Sequence, residues 1–320
     1  MKSMNEALIE SARQQIQGAQ RVLVVSHIHP DGDAVGSLLG LGSSLQTAGK
    51  SVQMVLTDGI PKTFRYLPGY DQVKKHPDGA FDLSIVLDCS DLQRTGNALN
   101  GNTPPDWNID HHPTNLNFAR FNWVNEAATA TSEILASLLP ALGLPIDSSV
   151  AACFLTGLVA DTLGFRTHNV TPKVLHLAAE LMEGGADLPD IYQRVLFSRS
   201  YEAARYWGKG LNNLQKDGRM VWTTLTLTDR QAVGYPGRDD ADLINVLSSL
   251  DEFDVGLIFI EETRGLVKVS WRSRPGYNVA QIAMQYGGGG HYAAAGAEIE
   301  GNLGDVQVRV LEATRHLFDE

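Results

Sequence analysis

The chain has no apolar run near the ~20 residues that a membrane-spanning helix needs. It has only two cysteines, Cys89 and Cys153, in 320 residues. Both lie inside apolar patterns, without the spacing of a disulfide framework or a thiolate metal site, so a reduced, cytoplasmic protein is expected. The opening stretch, MKSMNEALIESARQQIQ, is polar and helix-like, without the apolar centre of a signal peptide. Basic charge is also scarce: 26 Lys and Arg face 37 Asp and Glu, for a net charge of −11. Proteins that hold long nucleic acids by their phosphates carry a basic surface, so this balance argues against such polymers and for a small phosphate ligand. There is no GxxxxGK[ST] loop, no internal repeat, and no low-complexity tract beyond one glycine run.

Through residue ~185 the chain alternates short apolar runs with helical patterns, the signature of a parallel α/β sheet. Strands are expected at 21–26, 51–56, 82–88 and 106–110, and helices at 33–48, 130–142, 148–160 and 171–184. A helical stretch at 187–214 reads as a connector. Beyond it, strands at 220–227, 254–262 and 265–273 and helices at 239–250, 278–285 and 305–318 indicate a smaller mixed α/β domain.

Four apolar runs in the first part end on metal-ligand residue types. RVLVV at 21–25 leads into SHIHPDGD, with His27, Asp31 and Asp33; FDLSIVLD ends at Asp88; WNID ends at Asp110, followed by His111 and His112; FLTGLVAD ends at Asp161. Carboxylates and imidazoles suit a hard or borderline divalent cation. Gathered without one, the carboxylates would repel each other or take up protons. Taken singly, each Asp has a plainer reading, and Asp33 in particular is a candidate N-cap for the 33–48 helix.

These four stretches resemble motifs I to IV of the DHH phosphoesterase superfamily, with the name-giving triplet at 110–112. WRSRPGYNVAQIAMQYGGGGHYAAAGA at 271–297 is similar to the accompanying DHHA1 domain. The length and the absence of further motifs look most like the stand-alone bacterial nanoRNase/pAp-phosphatase group. Motif IV departs from the pattern at Leu163, where many relatives carry glycine. The resemblance implies a DHH domain at 1–186, a connector at 187–214, a DHHA1 domain at 215–320, and an active site in the interdomain cleft. It implies two divalent cations, Mn²⁺ first and Mg²⁺ or Co²⁺ as substitutes. His27 and Asp31 would hold one, Asp33, His111 and Asp161 the other, and Asp88 would bridge them. His112 would face the substrate phosphate, with Asp110 orienting an imidazole, while His29 could line the site without binding metal.

In the second domain, Arg272 and Arg274 lie two apart in an expected strand and so on one face, a pattern suited to phosphate. Gly288, Gly289, Gly290 and His291 are expected to contact a terminal nucleotide, and Arg166 a phosphate. The activity implied is hydrolysis of short oligonucleotides to mononucleotides, with removal of a phosphate from 3′-phosphoadenosine 5′-phosphate (pAp). Cyclic or linear dinucleotides such as c-di-AMP and pApA, pyrophosphate or polyphosphate, and a non-catalytic nucleotide-binding module are the alternatives. The expected partners are nucleotide substrates, with no membrane and no long nucleic acid; a homodimer is compatible with the resemblance.

Overall fold

The computed structural model describes residues 2–99, 103–251 and 253–318. They form two compact units, one ending at Ser198 and the other beginning at Arg199. The expected connector therefore divides. Its first part carries α6 (Leu188–Tyr192) and a π-helical turn at Gln193–Phe197, and its second part is α7 (Tyr201–Asn212). The break falls where Ser198 and Ser200 turn extended, and the Ser200 hydroxyl caps α7 by accepting the Ala203 N–H at 3.1 Å.

The first unit is built on β1 (Arg21–Val25), β2 (Ser51–Val55), β3 (Leu83–Leu87), β4 (Trp107–Asp110) and β5 (Phe121–Val124), all parallel, in the order β2-β1-β3-β4-β5. The central strands read as apolar runs because both of their faces are buried. The edge strand β5, FNWV, was not expected; three of its four residues are polar or aromatic, and it is only half-buried. Helices α1 (Lys2–Gly18), α2 (Gly32–Thr47), α3 (Thr131–Ala141), α4 (Ser148–Asp161) and α5 (Pro172–Glu183) accompany the sheet, and their apolar residues share one core with it.

This strand order reverses direction between β1 and β3. In open α/β sheets, ligands bind outside the carboxyl ends of the strands at such a switch point. The His27 segment leaves β1 there and Asp88 follows β3, so the topology alone brings the first two motifs together.

The second unit holds β6 (Gln215–Asp217), β7 (Met220–Leu225), β8 (Val255–Thr263), β9 (Leu266–Ser273), β10 (Gly289–His291) and β11 (Ala294–Glu300), ordered β10-β11-β9-β8-β7-β6. Only β7 and β8 run parallel. One core joins Val267, Val269 and Trp271 of β9 to α10 (Val279–Gln285) and α11 (Leu303–Arg315). A second joins Ile258 and Ile260 of β8 to α7, α8 (Leu227–Val233) and α9 (Leu243–Leu247). The helix expected at 239–250 shrinks to α9, because Ala241 and Asp242 adopt left-handed φ values of 53° and 65°. No helix among the described residues is long and apolar enough to cross a membrane.

Glycines inside α2 carry an entropic cost that close packing offsets. A Cβ at Gly36 would lie 2.4 Å from the carbonyl oxygen of Cys153 in α4. Gly36→Ala is therefore expected to push the two helices apart and destabilise the first unit by about 1–3 kcal/mol. Thermal unfolding of the variant checks this; an unchanged Tm would mean that the helices can shift freely.

Candidate metal centre

Asp88 lies at the middle of the cluster. It follows β3 with a left-handed φ of 53°, a strained conformation for a non-glycine residue, and its N–H is tied to Ile109 O at 2.9 Å. Its buried carboxylate faces three imidazoles: Oδ2 lies 3.5 Å from His27 Nε2, while Oδ1 lies 3.6 Å from His111 Nε2 and 3.7 Å from His112 Nδ1. Thr131 Oγ1 donates to Oδ1 at 3.1 Å.

Three groups share this carboxylate: His27, Asp31 and Asp88 offer donor atoms within 4.8 Å of one another, and so do Asp33, Asp88 and His111, and Asp88, Asp110 and His112. In the third, His112 Nδ1 already lies 2.7 Å from Asp110 Oδ1, so the first and second are the candidate cation groups. Asp161, the last residue of α4, joins the second group with Oδ2 3.2 Å from His111 Nε2. Backbone carbonyls orient both rings: His27 Nδ1 is 2.7 Å from Ile28 O, and His111 Nδ1 is 3.4 Å from Ala128 O. With a proton on each Nδ1, both Nε2 lone pairs face the carboxylates, the arrangement metal-ligating histidines use.

The N-cap of α2 is Asp31, not Asp33. Asp31 Oδ1 accepts the N–H groups of Asp33 and Ala34 at 3.1 and 3.0 Å, so the helix starts one residue earlier than expected. Asp33 is thereby turned inward, where it caps a different helix. Its oxygens accept the Thr131 N–H at 2.6 Å and the Ser132 N–H at 3.0 Å, the first two of α3, whose own N-cap Ala130 has no side-chain acceptor.

The charges show what the cluster requires. Burial, then the neighbouring charges of Asp88 and Asp161, hold the Asp33 carboxyl well above its usual range. Burial also raises Asp161, although its bond to His111 opposes this. Burial works against charge on His27, yet Asp88 and Asp31 outweigh it and raise its pKa to about 9. Asp88 itself is lowered despite its burial, because it faces His27, His112 and His111. Without a cation, protons must neutralise this set; divalent cations would do so directly. The donors are oxygen and imidazole nitrogen. The neighbouring Cys89 points away, with Sγ donating to Asp91 O, and burial pushes its pKa up to about 12, so no thiolate competes. The residues present fit a pair of divalent cations.

His112 lies beside this set, with Nδ1 2.7 Å from Asp110 Oδ1. His29 is outside it: the side chain is 75% exposed, and its nearest carboxylate, Asp58, is 3.9 Å from Nε2. Leu163 enters the turn after Asp161 with a left-handed φ although it is not glycine. Leu163, Gly164 and Phe165 have φ values of 48°, 72° and 62°, a left-handed run braced by Thr162 Oγ1, which accepts the Phe165 N–H at 2.9 Å. Arg166 follows it and is exposed. Sequence reasoning passed over Thr131, Ser132, Asn108, Asn115 and Arg94. Arg94 O accepts the Ile28 N–H at 2.7 Å, and the Arg94 charge opposes protonation of His27. Its one sequence signal was position, six residues beyond Asp88.

The second unit carries the other residues singled out. Arg272 is half-buried on β9, with Nη1 3.1 Å from Trp271 O. Arg274 is not its strand partner: β9 ends at Ser273, and Arg274 Nη2 donates to Leu250 O and Asp251 O at 3.0 and 3.1 Å. The glycine run has mixed causes. Gly287, at φ 75°, follows the end of α10, and a Cβ on Gly288 or Gly290 would lie 2.1 Å from Gly296 O or 2.4 Å from Ala294 O. Gly287 and Gly289 both have open space, but the positive φ of Gly287 already favours glycine, so Gly289 is the one of the four where a ligand rather than the chain itself can require the missing side chain.

Asp88→Asn removes one charge from both groups. The variant is expected to fold, to bind divalent cations weakly, and to lose at least ~10³-fold in kcat on a phosphodiester. Calorimetric titration with Mn²⁺ and a rate assay at saturating metal check this; near-normal turnover would mean that Asp88 does not serve both groups.

Comparison with known proteins agrees with this geometry. The DHH family, N-terminal domain, matches residues 21–158, and the DHHA1 domain matches residues 234–318. The bifunctional oligoribonuclease and PAP phosphatase NrnA of Thermus thermophilus is 35% identical over 300 residues, 92% of this chain and 89% of the relative. The protein of the same name from Mycoplasma genitalium is 27% identical over 92% of this chain and 94% of its own length. The crystal structure of an exopolyphosphatase-related protein from Bacteroides fragilis superimposes with a TM-score of 0.87 at 26% identity, covering 97% of this chain and 96% of that one. The chain belongs to the DHH phosphoesterase family, metal-dependent hydrolases, and carries a DHHA1 domain behind its DHH domain.

Proposed function

We propose that this protein hydrolyses very short oligonucleotides to mononucleotides and removes a phosphate from pAp. The observation that carries the reading is the single buried carboxylate, Asp88, shared by two groups of cation donors. The NrnA relatives, similar over nearly the whole chain, supply the substrate class. His27, Asp31 and Asp88 would hold one cation and Asp33, Asp88, His111 and Asp161 the other, with Mn²⁺ the first choice for oxygen and imidazole donors. When bound, such cations lower the pKa of water and draw charge from the phosphate oxygens.

The chain's own residues do the rest. Asp110 holds the His112 imidazole by Nδ1. Through Nε2 the ring would serve the phosphate or the leaving oxygen as a proton donor. Arg272 supplies a guanidinium for phosphate, His291 and the backbone at Gly289 meet the terminal nucleotide, and Arg166 adds an exposed cation to the first unit. Nucleotide recognition through one terminal unit fits both pAp and a dinucleotide. The net charge of −11 does not favour a longer strand, which is held chiefly through its phosphates.

Two experiments test this reading. At equal concentration and with Mn²⁺, 2- to 5-mers should be cleaved more than about tenfold faster than a 24-mer; a flat length profile contradicts the reading. Gly289→Ala should raise the KM for pAp and dinucleotides without changing Tm, whereas Gly288→Ala should lower Tm. A Gly289→Ala enzyme with unaltered KM would remove the glycine run from substrate contact.

A further inference from the structure

Asp110 is fully buried at the end of β4, and both of its oxygens are engaged. Oδ1 accepts the His111 N–H at 2.9 Å and lies 2.7 Å from His112 Nδ1. Oδ2 accepts from Asn115 Nδ2 at 2.5 Å. The Asn115 amide can face only one way. Its Oδ1 accepts the Asn117 N–H at 2.7 Å, and a backbone N–H is only a donor, so Nδ2 must be the atom turned inward. That same nitrogen donates to Asn108 Oδ1 at 2.7 Å, while Asn108 Nδ2 donates to Cys89 O at 3.1 Å. A chain of fixed donors therefore runs from the residue after Asp88, through two amides, to Asp110 and His112.

We infer that Asn115 is a positioning residue for phosphoester cleavage: it locks Asp110 in place and, through it, aims the His112 imidazole at the leaving oxygen. The inference rests on the function proposed above. A neutral amide suits the task better than a cation would. A lysine or arginine at this place would cancel the Asp110 charge, whereas an amide fixes the carboxylate and leaves it free to hold the Nδ1 proton of His112. Closure of the loop does not rest on this side chain alone, although Asn115 Oδ1 holds the Asn117 N–H and Nδ2 also lies 3.3 Å from Cys89 O. The segment is already anchored by its backbone, with the Leu116 N–H on Ser90 O at 2.9 Å and the Asn115 N–H on His112 O at 3.2 Å.

The test uses the full chain at saturating Mn²⁺ and two substrates: pApA, whose leaving ribose oxygen needs a proton, and bis-p-nitrophenyl phosphate, whose leaving group does not. Asn115→Ala should lower kcat on pApA about 10- to 100-fold, with KM and the Mn²⁺ concentration for half-activation unchanged. The loss on bis-p-nitrophenyl phosphate should be much smaller, and that substrate also reports that the variant is folded and metal-loaded. Asn115→Ser, which keeps one donor, should recover part of the pApA rate. Added to His112→Ala, Asn115→Ala should cause no further loss, because both changes disable one unit. Equal losses on the two substrates, or additive losses in the double variant, would overturn the assignment and leave Asn115 a structural residue. If the wild-type enzyme cleaves bis-p-nitrophenyl phosphate but not pApA, the proposed function fails and the inference goes with it.

Discussion

Like charges do not gather in a protein interior unless something of opposite sign is meant to join them, and the first unit gathers carboxylates around Asp88. The backbone there is strained, the side chain is buried, and three imidazoles face it within 3.7 Å. Nearby, Asp33 is pushed well above its ordinary range by burial and by its neighbours' charges. A fold selected for stability alone has simpler ways to end its strands. Cation binding would turn this local cost into a gain and so link the order of the region to metal occupancy.

Much of the surrounding structure follows from holding those side chains. The switch point between β1 and β3 sets two of the four motifs side by side before any side chain is placed. Asp31 caps its own helix and Asp33 caps α3, so each carboxylate is held by backbone N–H groups while keeping lone pairs for a cation. The close approach of α2 and α4 serves the same end. A Cβ on Gly157 of α4 would lie 2.6 Å from Asp33 Oδ1, so glycine there preserves the space in which that carboxylate sits.

The candidate metal donors stood out in the sequence because few residue types can serve and because four apolar runs end on or just before them. The sheet of the first unit was legible for a related reason: strands buried on both faces leave continuous apolar stretches. What escaped was governed by distant partners or by weak patterns. Asp33 looked like a cap for the helix beside it, yet its true partners lie 98 and 99 positions away. Asn115 gave no pattern at all, since an amide fixing a carboxylate is visible only once the loop is folded. The strands β10 and β11 hid behind small residues, and the glycine run resembled a ligand loop although two of its four glycines are required by packing against β11 and a third by its left-handed backbone. Arg272 and Arg274 looked like a pair because alternation was assumed to continue past Ser273, where the strand ends.

Anomalous diffraction at the manganese edge, from crystals grown with Mn²⁺, would test the central claim most directly. Two peaks flanking the Asp88 carboxylate, one beside His27 and Asp31 and the other beside Asp33, His111 and Asp161, are the predicted result. A single peak away from Asp88, or none at saturating Mn²⁺, would contradict a shared carboxylate at the heart of this phosphoesterase.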